Sequence, residues 1–394
     1  MNEVDKNVLT LLSKALNNEQ IEELPHWNET LEELKNHTVF CLPYKNIVES
    51  NLLKSEELKE YKRLCFQNIA HSYQLLHAQT QMLVLFKNAD IPLVILKGAA
   101  AAMYYPHPEY RTMGDIDIIV KPEDFNKAYE LLSRHYVLVY DKQKNYKFKD
   151  DLYKNDRHIS YKTNENIIIE LHNYFTYGER TKEKNLLDQM IYEGIDQCEY
   201  HSINEHTFPC LPPLINGLVL LKHILQHFKN SGVGYRQLID FYECIKHIND
   251  IEEFLKYSEK VNLRKFAEVC IQICIDYFGF AYHDLDCDKD LEQYIFQSVT
   301  SYGNFGRKSI DITKAEMVIK LYSQPFHVFR NLHRCGRVNW KASEKYIVLR
   351  PFAWIYQIIY YIRQVRNSRG ISTVVDGYKN YKKKNKMIKD LHLK

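Results

Sequence analysis

The chain contains no CxxC pair, although it has nine cysteines (Cys41, Cys65, Cys198, Cys210, Cys244, Cys270, Cys274, Cys287 and Cys335). An odd, scattered set of this kind indicates neither a zinc ribbon nor a disulfide framework. Cys270 and Cys274 are one helical turn apart, and the expectation is that both face a core. No apolar run approaches the roughly 20 residues that a bilayer-spanning helix needs. The opening MNEVDKNVLTLLSK is neither basic nor followed by a long apolar stretch, so no signal peptide is read and a cytoplasmic protein is expected. Charge of one sign is also lacking. The net charge is +3 over 394 residues, so bulk electrostatics do not announce a nucleic-acid partner, and none is expected. His223 and His227 stand four apart on a helical pattern, but no HExxH accompanies them, which weighs against a zinc pair. Gly303 and Gly306 follow no strand, so the stretch 301–307 reads as a loop rather than a phosphate cradle.

What is present is length for two or three domains, and 30 tyrosines with 18 phenylalanines to fill cores. Residues 2–53 read as short helices, with Asn28-Glu29-Thr30 a candidate cap for LEELKNHTV. Residues 54–88 carry one long amphipathic pattern leading into a strand. The most informative stretch is Leu96 to Val120, LKGAAAAMYYPHPEYRTMGDIDIIV. Asp115 and Asp117 alternate with Ile116 and Ile118, so on a strand both carboxylates face one way while the isoleucines face a core. Two acids that close repel unless a cation holds them. Hard oxygen donors of this kind suit Mg²⁺ or Mn²⁺ carrying substrate phosphates. Taken alone, the pair reads more readily as two solvent-facing acids on an amphipathic strand, because short acidic alternations are common.

The surroundings change that balance. IPLVILKG ends in Lys97-Gly98 and runs into the helix former Ala99–Ala102. Strand, glycine turn and helix start together offer main-chain N–H groups to a phosphate, with Lys97 as an added charge. Tyr105-Pro106-His107-Pro108 breaks the helix before Arg111. An arginine there either forks onto a phosphate, clamps Asp115, or sits in a structural ion pair. Downstream, NIIIELH supplies Glu170 on another strand, with His172 two residues later on the same face. Three carboxylates on neighbouring strands beside a phosphate-holding turn meet the needs of two-metal phosphoryl transfer.

LKGAA, then Arg111 to Asp117, then IELH together resemble the bacterial uncharacterised nucleotidyltransferase family of the DNA-polymerase-beta-like nucleotidyltransferase superfamily. The resemblance covers roughly residues 31–245, including HILQHFKNSGVGYRQLIDFYECI. It implies an α+β fold with a small mixed-sheet core, helices on one side, and Asp115, Asp117 and Glu170 as catalytic metal ligands. It further implies Lys97, Gly98, Ala99, Arg111, His172 and Arg236 around a nucleoside triphosphate, with Asp240 nearby, and transfer of a nucleoside monophosphate to a hydroxyl of a small molecule, sugar or protein. The turn departs from the superfamily pattern: Lys97-Gly98-Ala99 stands where Gly-Ser or Gly-Gly is usual, so the hydroxyl that would meet a terminal phosphate is missing. The expected organisation is an N-terminal helical region (1–88), the nucleotidyltransferase core (89–176), a helical domain completing the cleft (177–285) and a C-terminal helical region with a basic tail (286–394). Within it, 176–211 reads as an irregular connection and Lys379 to Lys394 as a solvated, partly disordered end. The amphipathic Pro351 to Arg366 either packs on the body or lies on a membrane surface. Two competing functions are a catalytically inactive nucleotide-binding regulatory module and a nucleic-acid binder using the lysine tail.

Overall fold

The structure is a computed structural model that describes residues 2–139, 158–176, 180–230, 232–309, 328–340, 342–343, 346–367 and 371–390. Three helices, Glu3–Leu16, Trp27–Asn36 and Tyr44–Ser50, precede the long helix Ser55–Asn88. The first is closed by a capping box in which Asn2 accepts from the Asp5 amide and Asp5 accepts from the Asn2 amide. The second begins at Trp27 rather than after Asn28-Glu29-Thr30, entered from His26 in the left-handed region (φ 50°) with no side-chain cap.

Seven strands form one mixed sheet: β1 (Leu93–Leu96), β2 (Asp115–Val120), β3 (Val137–Leu138), β4 (His158–Lys162), β5 (Ile168–His172), β6 (Glu199–Ile203) and β7 (His206–Cys210). Their spatial order is β3-β4-β5-β2-β1-β7-β6, parallel at β2/β5 and β1/β7 and antiparallel elsewhere. On one face Ile116, Ile118, Val120, Ile95, Ile169 and Leu171 pack against Leu75, Met82 and Phe86 of the long helix and Phe125 and Leu132 of the helix Phe125–His135. Each buried isoleucine of this row contributes about 1.5–3 kcal/mol. A one-residue slip of β2 would drive Asp115 and Asp117 into that apolar layer, which fixes the register.

The opposite face is covered as well, a difference from the expectation of helices on one side. Val94, Leu96 and Ile119 belong to the larger core built with the helices Pro213–Asn230, Tyr235–Ile245 and Arg264–Phe278. Asn216 donates to the Ala100 carbonyl (2.9 Å) and locks the first of these helices onto the segment after β1. The helix Tyr235–Ile245 is held from the N-terminal side, where the Tyr235 amide donates to His37 Nδ1 (3.1 Å). Cys270 and Cys274 are fully buried, as their spacing predicts. The helix pair Ile251–Lys260 and Arg264–Phe278 ends at Gly279 with φ 77°.

Two stretches differ from their sequence reading. Between 176 and 211 there is a regular helix, Lys182–Asp196, and the hairpin β6/β7, which adds two strands to the sheet beside β1. The hairpin turns on Asn204 at φ 52°, a conformation asparagine tolerates. Of its strands β7 pairs with β1 and β6 with β7, a docking that no local pattern announces. The tail forms the helix Ile371–Asp390, where Lys384 is buried near the rings of Phe228 and Tyr302 (5.9 and 5.0 Å) and Met387 and Ile388 meet the core. Aliphatic lysine stems cover apolar surface readily, so a lysine count alone does not forecast a solvated end. The helix Ala353–Asn367 packs on Val328–Asn339, with Trp340 stacked on Tyr356 at 5.3 Å. Among the described residues no helix is long and apolar enough to cross a membrane. The lysine-rich 141–151 and the last four residues of the tail lie outside the described residues.

Candidate active site

The site grows out of one register. Asp117 of β2 lies beside Glu170 of the parallel β5 and opposite Leu96 of β1, and Asp115 lies beside Ile168. Residues aligned across neighbouring strands share a face, so Asp115, Asp117, Glu170 and His172 project together, away from the layer of Ile116 and Ile118. The antiparallel β4 adds His158 directly opposite His172. A polar strip therefore crosses three strands, β2, β5 and β4.

Lys97 closes the strip at the β1 end. Its backbone is in the left-handed half of conformational space (φ 51°), uncommon for a residue with a side chain. Its Nζ stands 2.6 Å from Asp117 Oδ1, with both side chains largely buried. Gly98 follows at φ 34°, and a Cβ there would lie 3.4 Å from the Asp115 carbonyl oxygen. The helix that starts at Gly98 is only five residues long and Ala99 to Ala102 are buried. Any dipole it offers a phosphate is correspondingly short, and Ala99 has only its main chain to contribute.

Asp117 accepts from two directions, since His172 Nε2 is 2.7 Å from the same Oδ1 that Lys97 meets. Burial works against its charge, but Lys97 and His172 together hold its carboxyl well below the usual range. Asp115 lacks such partners. The neighbouring Asp117 charge and then burial push it up to about 6, with Lys97 and Arg236 pulling the other way. Glu170 is held below its ordinary value: burial opposes the charge, while His172 and His158 favour it. The pair Asp115/Asp117 is thus a compressed set of oxygens in which one carboxylate is neutralised by the protein and the other resists ionisation.

A second layer surrounds the strip. Arg111 forks onto Asp240, with Nε–Oδ1 and Nη2–Oδ2 both 2.6 Å, and Tyr105 donates to the same Oδ1 at 2.6 Å. Of the roles open to Arg111 in the sequence, the structure shows the ion pair with Asp240, and it does not clamp Asp115. Arg236 Nη1 donates to the Thr112 carbonyl (3.1 Å) just ahead of β2, and burial followed by the Arg111 charge brings it down to about 10. Its charge favours the ionised form of Asp115. On the covering helix, His223 and His227 meet through their Nε2 atoms at 2.7 Å. Burial, then the charges of His227 and Lys97, hold His223 well below its ordinary value, which favours its neutral imidazole.

Among the described residues, the metal-ligating side chains whose ligand atoms all come within 4.8 Å of one another are His158, Glu170 and His172. The trio Asp115, Asp117 and Glu170 shares the face and the field but does not converge to that degree. His158 escaped the sequence reading as a site residue. The alternation in HISYK does place His158, Ser160 and Lys162 on one polar face, yet only the pairing of β4 with β5 brings the imidazole to Glu170.

No curated protein matches the chain. Residues 23–279 match the model of the family described as "uncharacterised nucleotidyltransferase". That span holds every strand among the described residues and all of the site, and the chain belongs to this family.

Proposed function

We propose that the chain transfers a nucleoside monophosphate from a nucleoside triphosphate to a hydroxyl of a small molecule, sugar or protein, with Asp115, Asp117 and Glu170 holding Mg²⁺ or Mn²⁺. The observation that carries this reading is the register that sets Glu170 beside Asp117, with Asp115 on the same face and lifted to about 6 by its neighbour. Crowded oxygen donors with an unrelieved repulsion fit a hard divalent cation. When bound, such an ion lowers the pKa of the acceptor hydroxyl and neutralises charge on the leaving pyrophosphate.

The chain's own groups have separable parts. Glu170, kept ionised by His172 and His158, accepts the proton of the incoming hydroxyl. Lys97, 2.6 Å from Asp117, would supply positive charge to the triphosphate. Arg236 adds positive potential beside Asp115, and the Arg111–Asp240 fork keeps the loop before β2 in place. His172 orients Asp117 through its 2.7 Å contact.

Incubation with labelled nucleoside triphosphates, Mg²⁺ and cell lysate, followed by mass spectrometry, is expected to reveal a nucleotidylated acceptor and released pyrophosphate. The double variant Asp115→Asn, Asp117→Asn is expected to lose metal-dependent nucleotide binding; if it binds Mg-ATP as well as the wild type, the site lies elsewhere. A second reading, a nucleotide-binding regulatory module without turnover, is favoured by Lys97 standing as Asp117's counter-charge and by the missing turn serine. It predicts Mg-nucleotide binding with no pyrophosphate release.

A further inference from the structure

We propose that His158, Glu170 and His172 form a binding site for a borderline divalent ion of the Zn²⁺ class, separate from the hard-oxygen magnesium set although it shares Glu170. The separations carry the inference. His158 Nε2 lies 3.4 Å from Glu170 Oε1, and His172 Nε2 lies 3.6 Å from Glu170 Oε2. These are long for imidazole–carboxylate hydrogen bonds, which close to about 2.7–2.9 Å when charge assists them. One ligand atom from each of His158, Glu170 and His172 lies within 4.8 Å of the others, and bonds of about 2.0–2.1 Å would draw them to about 3.3 Å from one another around a tetrahedral ion.

The donor set agrees with the geometry. Two imidazoles and one carboxylate are ligands that zinc takes in catalytic sites, whereas Mg²⁺ is bound through oxygen. Each Glu170 oxygen faces a different histidine, so the carboxylate spans the gap between the two rings, whose centres are 5.2 Å apart. The histidines are positioned by the sheet and not by a mobile loop, His158 and His172 being cross-strand partners. Access is one-sided: His172 is fully buried, while the side chains of Glu170 and His158 are 20% and 31% exposed and open the site to solvent. Asp117 Oδ1, 2.7 Å from His172 Nε2, is an adjacent oxygen whose charge Lys97 already balances. To present Nε2 to an ion, His172 would release Asp117 Oδ1, which now lies 2.7 Å away. The site stands whether or not the chain turns over nucleotides.

The full-length protein, stripped with chelator, is titrated with Zn²⁺ by calorimetry and with Co²⁺ as a visible-absorption reporter in the presence of excess Mg²⁺. One equivalent is expected to bind, with the strong visible band of a low-coordinate Co²⁺ centre that Mg²⁺ does not displace. His158→Gln, at a partly exposed strand position, is expected to bind at least tenfold more weakly with an unchanged urea midpoint. Asp115→Asn is expected to keep the Zn²⁺ affinity while losing nucleotidyl transfer. Failure of the wild type to bind one equivalent, unchanged affinity in His158→Gln, or loss of Zn²⁺ in Asp115→Asn would overturn the assignment. Pyrophosphate release, scored separately on Mg²⁺, reports on the catalytic reading alone.

Discussion

Asp115 offers the sharpest test of the electrostatics, because it is the site carboxylate whose neighbouring cations, Lys97 and Arg236, do not outweigh the Asp117 charge and burial. Its ordinary value of 3.8 is raised to about 6, first by Asp117 and then by burial. A carboxyl held that far up costs the folded state about 3 kcal/mol at pH 7. The sign follows from proton counting. Between about 4 and 6 the folded chain binds the proton that the unfolded chain has released, so stability falls as pH rises through that window. The cost is fully present above about 6 and vanishes below about 4. Asp115→Asn removes it, and urea unfolding in chelator at pH 7 should show the variant more stable than the wild type. With a slope of roughly 3 kcal/mol per molar urea for a large domain, the midpoint should rise by about 1 M. Divalent cation should raise the wild-type midpoint and raise that of the variant less, since the ion and the amide relieve the same repulsion. A variant midpoint equal to or below that of the wild type in chelator would refute the reasoning.

Other perturbations probe the frame around the site. Arg111→Met leaves Asp240 buried with Tyr105 as its remaining partner and should cost about 3–5 kcal/mol in urea unfolding, whereas Arg111→Lys restores charge but not the fork and should recover only part. Gly234→Ala sets a Cβ 2.7 Å from the Asn304 amide nitrogen, a contact to backbone that cannot swing away; a loss of about 1–3 kcal/mol is expected in the same assay. Glu33 is brought down from 4.5 to about 2: burial opposes its charge, but hydrogen bonds from His37 and Lys308 prevail. Its stabilisation is present above about 4.5 and is lost as pH falls towards 2. Glu33→Gln should therefore lower stability at neutral pH and flatten the acid limb of a pH–stability profile.

Much of this protein was legible in the chain alone. The alternation of Asp115 and Asp117 with Ile116 and Ile118 sets which way the carboxylates point, because side chains on a strand have no third option. The long periodic run to Asn88 specified a helix for the same kind of reason, and IELH put Glu170 and His172 on one face. Local covalent geometry suffices for each of these, so sequence settles them. What tertiary structure decided is which neighbours those faces acquire. The pairing of β4 with β5 brought His158 to Glu170, and the pairing of β7 with β1 turned an apparent connection into sheet. The packing of Tyr235–Ile245 gave Arg111 to Asp240 across 129 positions of chain. The sequence reads Lys97 as a charge for a phosphate; what the fold adds is its contact with Asp117, a buried carboxylate that needs a cation whatever the order of the chain. Contacts made across long separations depend on register and docking summed over the whole core, and a local pattern does not carry that sum.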